Sequence, residues 1–356
     1  VTENIEVIQR GRPVAVKILA AVIPVLLLAA CTAEAPRPSA TAKPTATEKA
    51  WVSTYTPPAA TELAPLRGTA VGKGKLKHPS LAVKIDNHEA ARPQIALERA
   101  DIVFEELVEG GLTRYAAIWQ SDIPPLIGPV RSIRPMDPDI ISPFGGIVAY
   151  SGGQKIFVDM MQKAPVVNAV FDYDRSGLFY RIGGKSAPHN VVVKATTLVA
   201  RYPKLAKPVQ QFAYAPSVAA SSAVVDGKSV SIINTRFSDQ RWPSWAWNIK
   251  SKAYLRSQEG HVDRDSNGAQ LKSTNVVIMR VGISHVYGPV PKTVVIGSGE
   301  AWVSTGGRTI HATWSKKYHS SSIRLVDNNG VTIRLAPGNT WIELVPKETG
   351  SVELVR

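Results

Sequence analysis

The sequence predicts an α+β fold: a mixed α/β N-terminal domain over residues 77–216, then a mostly antiparallel, β-rich C-terminal domain over 217–356, of sandwich or barrel type. Three observations predict it. Within 77–216 strand text alternates with short helical patterns. Beyond Ser217 strand-like runs recur about every ten residues between glycine turns, the spacing of antiparallel β folds. The chain's 356 residues with 44% hydrophobic side chains suit two cores rather than one, since domains run to roughly 100–200 residues. One cysteine, Cys31, excludes a disulfide within the chain and any multi-thiolate metal site.

The first segment concerns address. Arg10, Arg12 and Lys17 precede an unbroken apolar run over residues 18–30. That run has the length of a signal-peptide core and falls short of the roughly 20 residues a spanning helix needs. It ends Leu28-Ala29-Ala30-Cys31, small side chains before a thiol that can accept lipid. Residues 1–31 therefore read as a lipoprotein signal peptide, with Cys31 as the lipid attachment point. The mature chain would sit on the outer face of a bacterial cytoplasmic membrane. A single acyl chain holds marginally and two or three hold firmly, since each buried CH₂ adds about 0.8 kcal/mol. Residues 32–76, rich in Thr, Ala and Pro, have no apolar period to bury and read as a semi-extended tether. Its Thr/Pro content is compatible with O-linked sugar.

The folded text follows in order. LAVKID (81–86) is a strand. Residues 100–120 read as a hairpin turning at Gly110-Gly111. Residues 145–163 read as strand, glycine turn and helix, with Ile156, Phe157, Met160 and Met161 on one helical face. A strand at 166–173 and a short helix at 194–204 complete this half. The second half offers strands over 230–237, 244–257, 273–282, 293–297, 300–305, 309–314, 321–326, 331–336 and 339–345, with turns at Gly306-Gly307, Asn329-Gly330 and Pro337-Gly338. Six of the eight tryptophans lie there. They read first as core, with a carbohydrate-stacking platform as the alternative.

Candidate functional groups gather in the first half. If Gly110-Gly111 is a two-residue turn, Glu105 and Glu109 share a face with Arg114; a longer loop shifts the register by one and separates them. Arg131 and Arg134 bracket Ser132 in a stretch stiffened by Pro129 and Pro135. Guanidinium forks there suit phosphate, sulfate or carboxylate, or else serve as buried partners for Asp101, Glu105 or Glu109. Ser151-Gly152-Gly153-Gln154 opens a helix after a strand, a place receptive to anions. His189, beside Pro188 and Asn190, is the candidate general acid or base, or a structural hydrogen-bonder. No HExxH, DxD, GxSxG, CxxC or P-loop occurs, so no metal and no cofactor is expected.

The order Ile85-Asp86-Asn87, Ala91-Arg92-Pro93-Gln94, Ala100-Asp101-Ile102-Val103, Glu105, Glu109-Gly110-Gly111, Thr113-Arg114, Gly128-Pro129-Val130-Arg131-Ser132, Arg134-Pro135 and Pro188-His189-Asn190 resembles the YerB-like family of bacterial lipoproteins. Tyr254-Leu255-Arg256, His261-Val262-Asp263 and Asn275-Val276-Val277 resemble that family's C-terminal domain. The resemblance spans about residues 77–348. It implies a two-domain envelope lipoprotein and no reaction.

Two functions stay open. One is a binding protein: Asp86, Asn87, Arg92, Arg114, Arg131, Ser132, Arg134 and Asn190 would hold an anionic envelope ligand, an anionic wall polymer or a partner protein. The other is a hydrolase or transferase on an anionic envelope polymer or lipid-linked precursor, with Glu105, Glu109 and His189 moving protons. Nucleic acid is a weaker third reading. The net charge of +14 invites it, but ten of the 42 basic residues precede His78, and no nucleic-acid motif is present.

Overall fold

The computed structural model describes residues 59–356; the expected signal segment, Cys31 and the tether up to residue 58 lie outside the described residues. Order begins earlier than the expected domain start at residue 77. Thr61–Leu63 and Ala70–Gly72 pair antiparallel, Leu66 between them is fully buried, and the Arg67 guanidinium binds Asp101. The Thr/Pro-rich composition hid this turn, whose Leu66 reaches a core made by distant strands.

A twelve-stranded mixed sheet runs through both halves. From edge to edge its path is Lys228–Ser229, Arg308–Lys316, Gly297–Thr305, Asn275–Tyr287, Thr340–Pro346, Ile102–Leu107, Thr113–Trp119, Leu81–Asp86, Ile147–Tyr150 and Val167–Val170, with two further strands paired to its flank. The late strand Thr340–Pro346 joins the halves. It lies parallel to Asn275–Tyr287 on one side and to Ile102–Leu107 on the other.

Both faces of this sheet are covered, so its inner strands are buried at nearly every position. Helices Asp137–Ile141 and Lys155–Gln162 help cover one face, where Ile140, Phe157 and Met161 join Phe104, Ile118 and Val148. The helical face is rotated from expectation. Phe157, Val158 and Met161 point inward, while Ile156 is half exposed.

A six-stranded antiparallel sheet covers the other face. It contains Ile232–Arg236, Pro243–Asn248, Ala253–Gln258 and Ser351–Val355. Its Ile233, Trp245 and Tyr254 pack with Val276, Ile278 and Trp341. The result is α+β and β-rich. Of the six C-terminal tryptophans, Trp245, Trp314 and Trp341 are core, Trp247 and Trp302 are half-buried and Trp242 is exposed.

Candidate functional site: an arginine-lined recess

The hairpin register decides which charges meet. The connection spans residues 108–112 rather than two glycines, and the pairs are Leu107 with Thr113, Glu106 with Arg114 and Glu105 with Tyr115. The one-residue slip puts Arg114 on the face of Glu106 and sends Glu105 to the opposite face. The expected convergence of Glu105 with Arg114 is therefore corrected. Glu105 is fully buried. It accepts from the Thr113 hydroxyl at 2.6 Å and is ion-paired to Arg256. Sealed there, it cannot move protons at a solvent-open site.

On the other face a small recess does form. Strand Leu81–Asp86 delivers Asp86 at its end, directly opposite Arg114 on Thr113–Trp119. Residues 128–131 run beside that end. Val130 N donates to Val191 O at 2.7 Å and Arg131 N to Lys84 O at 2.8 Å. The loop bearing His189 closes from the side. Asp86, Glu109, Arg114, Arg131, Arg134, His88 and His189 all line one recess of about 140 Å³, room for roughly four or five waters.

The geometry inside is specific. Asp86 Oδ2 lies 2.7 Å from His189 Nδ1 and 3.0 Å from Arg131 Nε. Because a carboxylate only accepts, the His189 proton sits on Nδ1 in the neutral tautomer. His88 stacks on His189, with ring centroids 4.4 Å apart. His88 Nδ1 accepts from Ala90 N at 3.1 Å, which leaves its proton on Nε2. Arg134 Nε donates to Glu109 Oε2 at 2.8 Å, and Arg114 Nη1 donates to Ser132 O at 2.9 Å.

Three guanidiniums thus face two carboxylates. Burial, then the nearby charges of Arg134 and Arg131, push the Arg114 pKa down to about 9, against the pull of Asp86 and Glu109. Arg131 Nε is buried, and among the described residues it has no aligned hydrogen-bond acceptor, although Asp86 is close in distance. Glu109 is raised by burial, but the hydrogen bond and charge of Arg134 win and hold its carboxyl below the usual range.

Other expected site residues lie elsewhere. Asn87 points to the far side of its strand end, where its Nδ2 donates to Thr113 Oγ1 at 2.7 Å. Arg92 binds Asn87 and Glu259 and lines a different hollow with His261 and Arg264. Ser132 lends its backbone carbonyl to Arg114, and its hydroxyl lies 3.5 Å from Ser151 Oγ. Asn190 ties its own loop, accepting from Arg181 at 2.7 Å and donating to Lys185 O at 3.0 Å. At the glycine-opened helix, Asp172 occupies the approach: a Cβ on Gly152 would stand 2.0 Å from its Oδ2.

Sequence reasoning missed three groups. His88 was one residue beyond a motif already singled out. Lys84 is fully buried with Glu106 and Asp137, and burial pushes it down to about 8 despite the pull of Asp137. Asp137 also accepts from Arg134 N at 2.5 Å, so this ion cluster positions the arginine segment. Arg256 is fully buried, with its guanidinium 4.9 Å from the Trp341 ring centroid and 5.6 Å from those of Tyr115 and Trp245. It serves Glu105 and Asp263. Charged letters in the middle of apolar strands, Lys84 in LAVKID and Arg256 in AYLRSQ, were the available signal.

No group of three or more His, Cys, Asp or Glu suited to a metal occurs among the described residues, and no helix among them is long and apolar enough to cross a membrane.

A two-part, β-rich α+β protein with a recessed arginine cluster is thus the class that fold and site define. The chain belongs to the YerB-like family. Residues 66–208 match the N-terminal domain and residues 233–342 the C-terminal domain of the family described as protein of unknown function DUF3048. It is 26% identical over 296 residues to the Bacillus subtilis protein named "Putative lipoprotein YerB", covering 80% of this chain and 86% of that one. The crystal structure of YerB from Bacillus subtilis superposes with a TM-score of 0.72 at 24% identity, covering 82% of this chain and 99% of that chain, which shows the shared fold.

Proposed function

We propose that this protein is a lipid-anchored envelope protein, held on the outer face of the cytoplasmic membrane through Cys31, and that its arginine recess binds one phosphate or carboxylate group of an envelope ligand. The single observation behind the binding reading is the surplus of guanidinium over carboxylate in a recess with room for an oxyanion. An incoming anion relieves the repulsion among Arg114, Arg131 and Arg134. The bulk of such a ligand, polymer or headgroup, stays outside. The anchor reading rests on the small-residue motif ending at Cys31 and on the name of the Bacillus relative.

The Asp86–His189 pair favours a second reading, hydrolysis of a bound phosphoester. Thr113 Oγ1 is committed to Glu105, so the nucleophile would be water. His189 would take its proton, and the arginines would stabilise the developing charge. One experiment separates the two. Arginine Nε–H resonances are followed by NMR as inorganic phosphate is added, and turnover of bis(p-nitrophenyl) phosphate is measured on the same samples. Binding predicts shifts at Arg114 and Arg131 without turnover. Hydrolysis predicts, in addition, turnover that His189→Ala abolishes while phosphate binding persists. Unmoved arginine resonances contradict both.

A further inference from the structure

We infer that the C-terminal half carries a second, independent ligand site: a cleft that takes a neutral saccharide against Trp302. The cleft, about 450 Å³, lies within the size range of small-molecule sites. Trp302 on Gly297–Thr305 faces His311 across the register of Arg308–Lys316, with ring centroids 5.7 Å apart at 75°. Trp302 and Leu354 both line the cleft and both pack against the core beneath it. They give it an aromatic and aliphatic floor that is still reachable by solvent.

The walls are polar and preset. Asp327 Oδ1 accepts from Asn329 N at 2.9 Å and from Val331 N at 2.8 Å, which fixes the turn over residues 327–330. Asn328 Oδ1 lies 2.7 Å from His311 Nδ1, and Glu300 Oε1 lies 3.0 Å from His311 Nε2. The imidazole therefore anchors the turn to the sheet. Asp226 and Lys228 border the cleft with Asp327 and Arg356.

Charge decides the ligand class. The lining carries acids and bases in balance, Asp226 and Asp327 against Lys228 and Arg356, while His311 is already paired with Glu300. Neither an anion nor a cation finds net compensation here, unlike in the arginine recess. A saccharide fits. Its C–H face packs on an indole, and its hydroxyl rim meets alternating donors and acceptors. An added peptide strand fits poorly, because the bordering edge strand Lys228–Ser229 has only two residues.

The test titrates the full protein with N,N′,N″-triacetylchitotriose, cellotriose and maltotriose, following indole N–H resonances by NMR. At least one trisaccharide should shift the Trp302 signal with a dissociation constant below roughly 10 mM. Trp302→Ala should weaken that binding at least about tenfold. Trp302→Phe should restore most of it, and Arg131→Ala should leave it unchanged. Asn329→Ala, at an exposed turn position, should weaken it several-fold and serves if Trp302→Ala fails to fold. No shift of Trp302 with any of the three, or binding indifferent to both Trp302→Ala and Asn329→Ala, overturns the inference.

Discussion

Asp86 Oδ2 stands 2.7 Å from His189 Nδ1, and the same oxygen is 3.0 Å from Arg131 Nε. One carboxylate therefore orients an imidazole and a guanidinium delivered by segments far apart in the chain. It also competes with any incoming anion for the arginine.

That competition gives a prediction with a definite sign. Asp86→Asn keeps an acceptor oxygen but removes the charge, and Glu109→Gln does the same beside Arg134. Each should tighten phosphate binding by roughly three- to tenfold at low salt, with the gain shrinking as ionic strength rises. Calorimetric titrations at two salt concentrations check it. Weaker binding in both variants would mean the carboxylates help hold the anion.

Glu109 also sets an acid limit. Burial raises its pKa, Arg134 lowers it further, and the net folded value lies below 4.5. The unfolded state therefore binds this proton more readily. The stabilisation is fully present above about 4.5 and is lost as pH falls through the folded value. Denaturant melts from pH 6 to pH 3 should show a shallower loss of stability in Glu109→Gln than in the wild type. Equal slopes would remove the Glu109–Arg134 pair from the stability balance.

Arg256 is the cation under the second sheet. Arg256→Ala strands Glu105 and Asp263 without a counter-charge and should cost about 3–5 kcal/mol in urea unfolding. Burial, with the nearby Glu105 carboxylate, holds Glu343 well above its usual range. Glu105→Gln, if folded, should bind phosphate like the wild type, because its side chain faces away from the recess. Loss of phosphate binding in a folded Glu105→Gln would contradict the register.

Much of the site was legible in the sequence because arginines and histidines flanked by Pro and Gly stand out from strand text. Arg131, Arg134, Arg114, Asp86, Glu109 and His189 were all singled out, and one recess collects them. Glu105 was misplaced because a side chain's face depends on loop length, and a 108–112 connection looks the same in sequence as a two-residue turn followed by strand. Alternating strands near their expected positions gave the β-rich second half. Continuity of one sheet through both halves was not readable, since the parallel pairing of Ile102–Leu107 with Thr340–Pro346 links residues more than two hundred positions apart. Lys84, Glu106 and Asp137 were hidden for a related reason: strand text does not say which charges will find each other inside.

Gly152 is required by its neighbour. Its φ is +140°, and a Cβ there would meet the Asp172 carboxylate at 2.0 Å. Gly152→Ala should destabilise the protein by about 1–3 kcal/mol, read as a lower melting temperature. Asp172→Gly should recover part of the loss by removing the clash. No recovery would place the cost in the backbone alone.

The central claim is that the recess is an oxyanion site, and calorimetric titration with sn-glycerol 3-phosphate tests it most directly. The expected result is saturable binding at one site, weakened at least about tenfold by Arg131→Ala, equivalent to about 1.4 kcal/mol, in a variant whose melting temperature stays near the wild type. An absence of binding by the wild-type protein, or the same affinity in Arg131→Ala, would contradict the account.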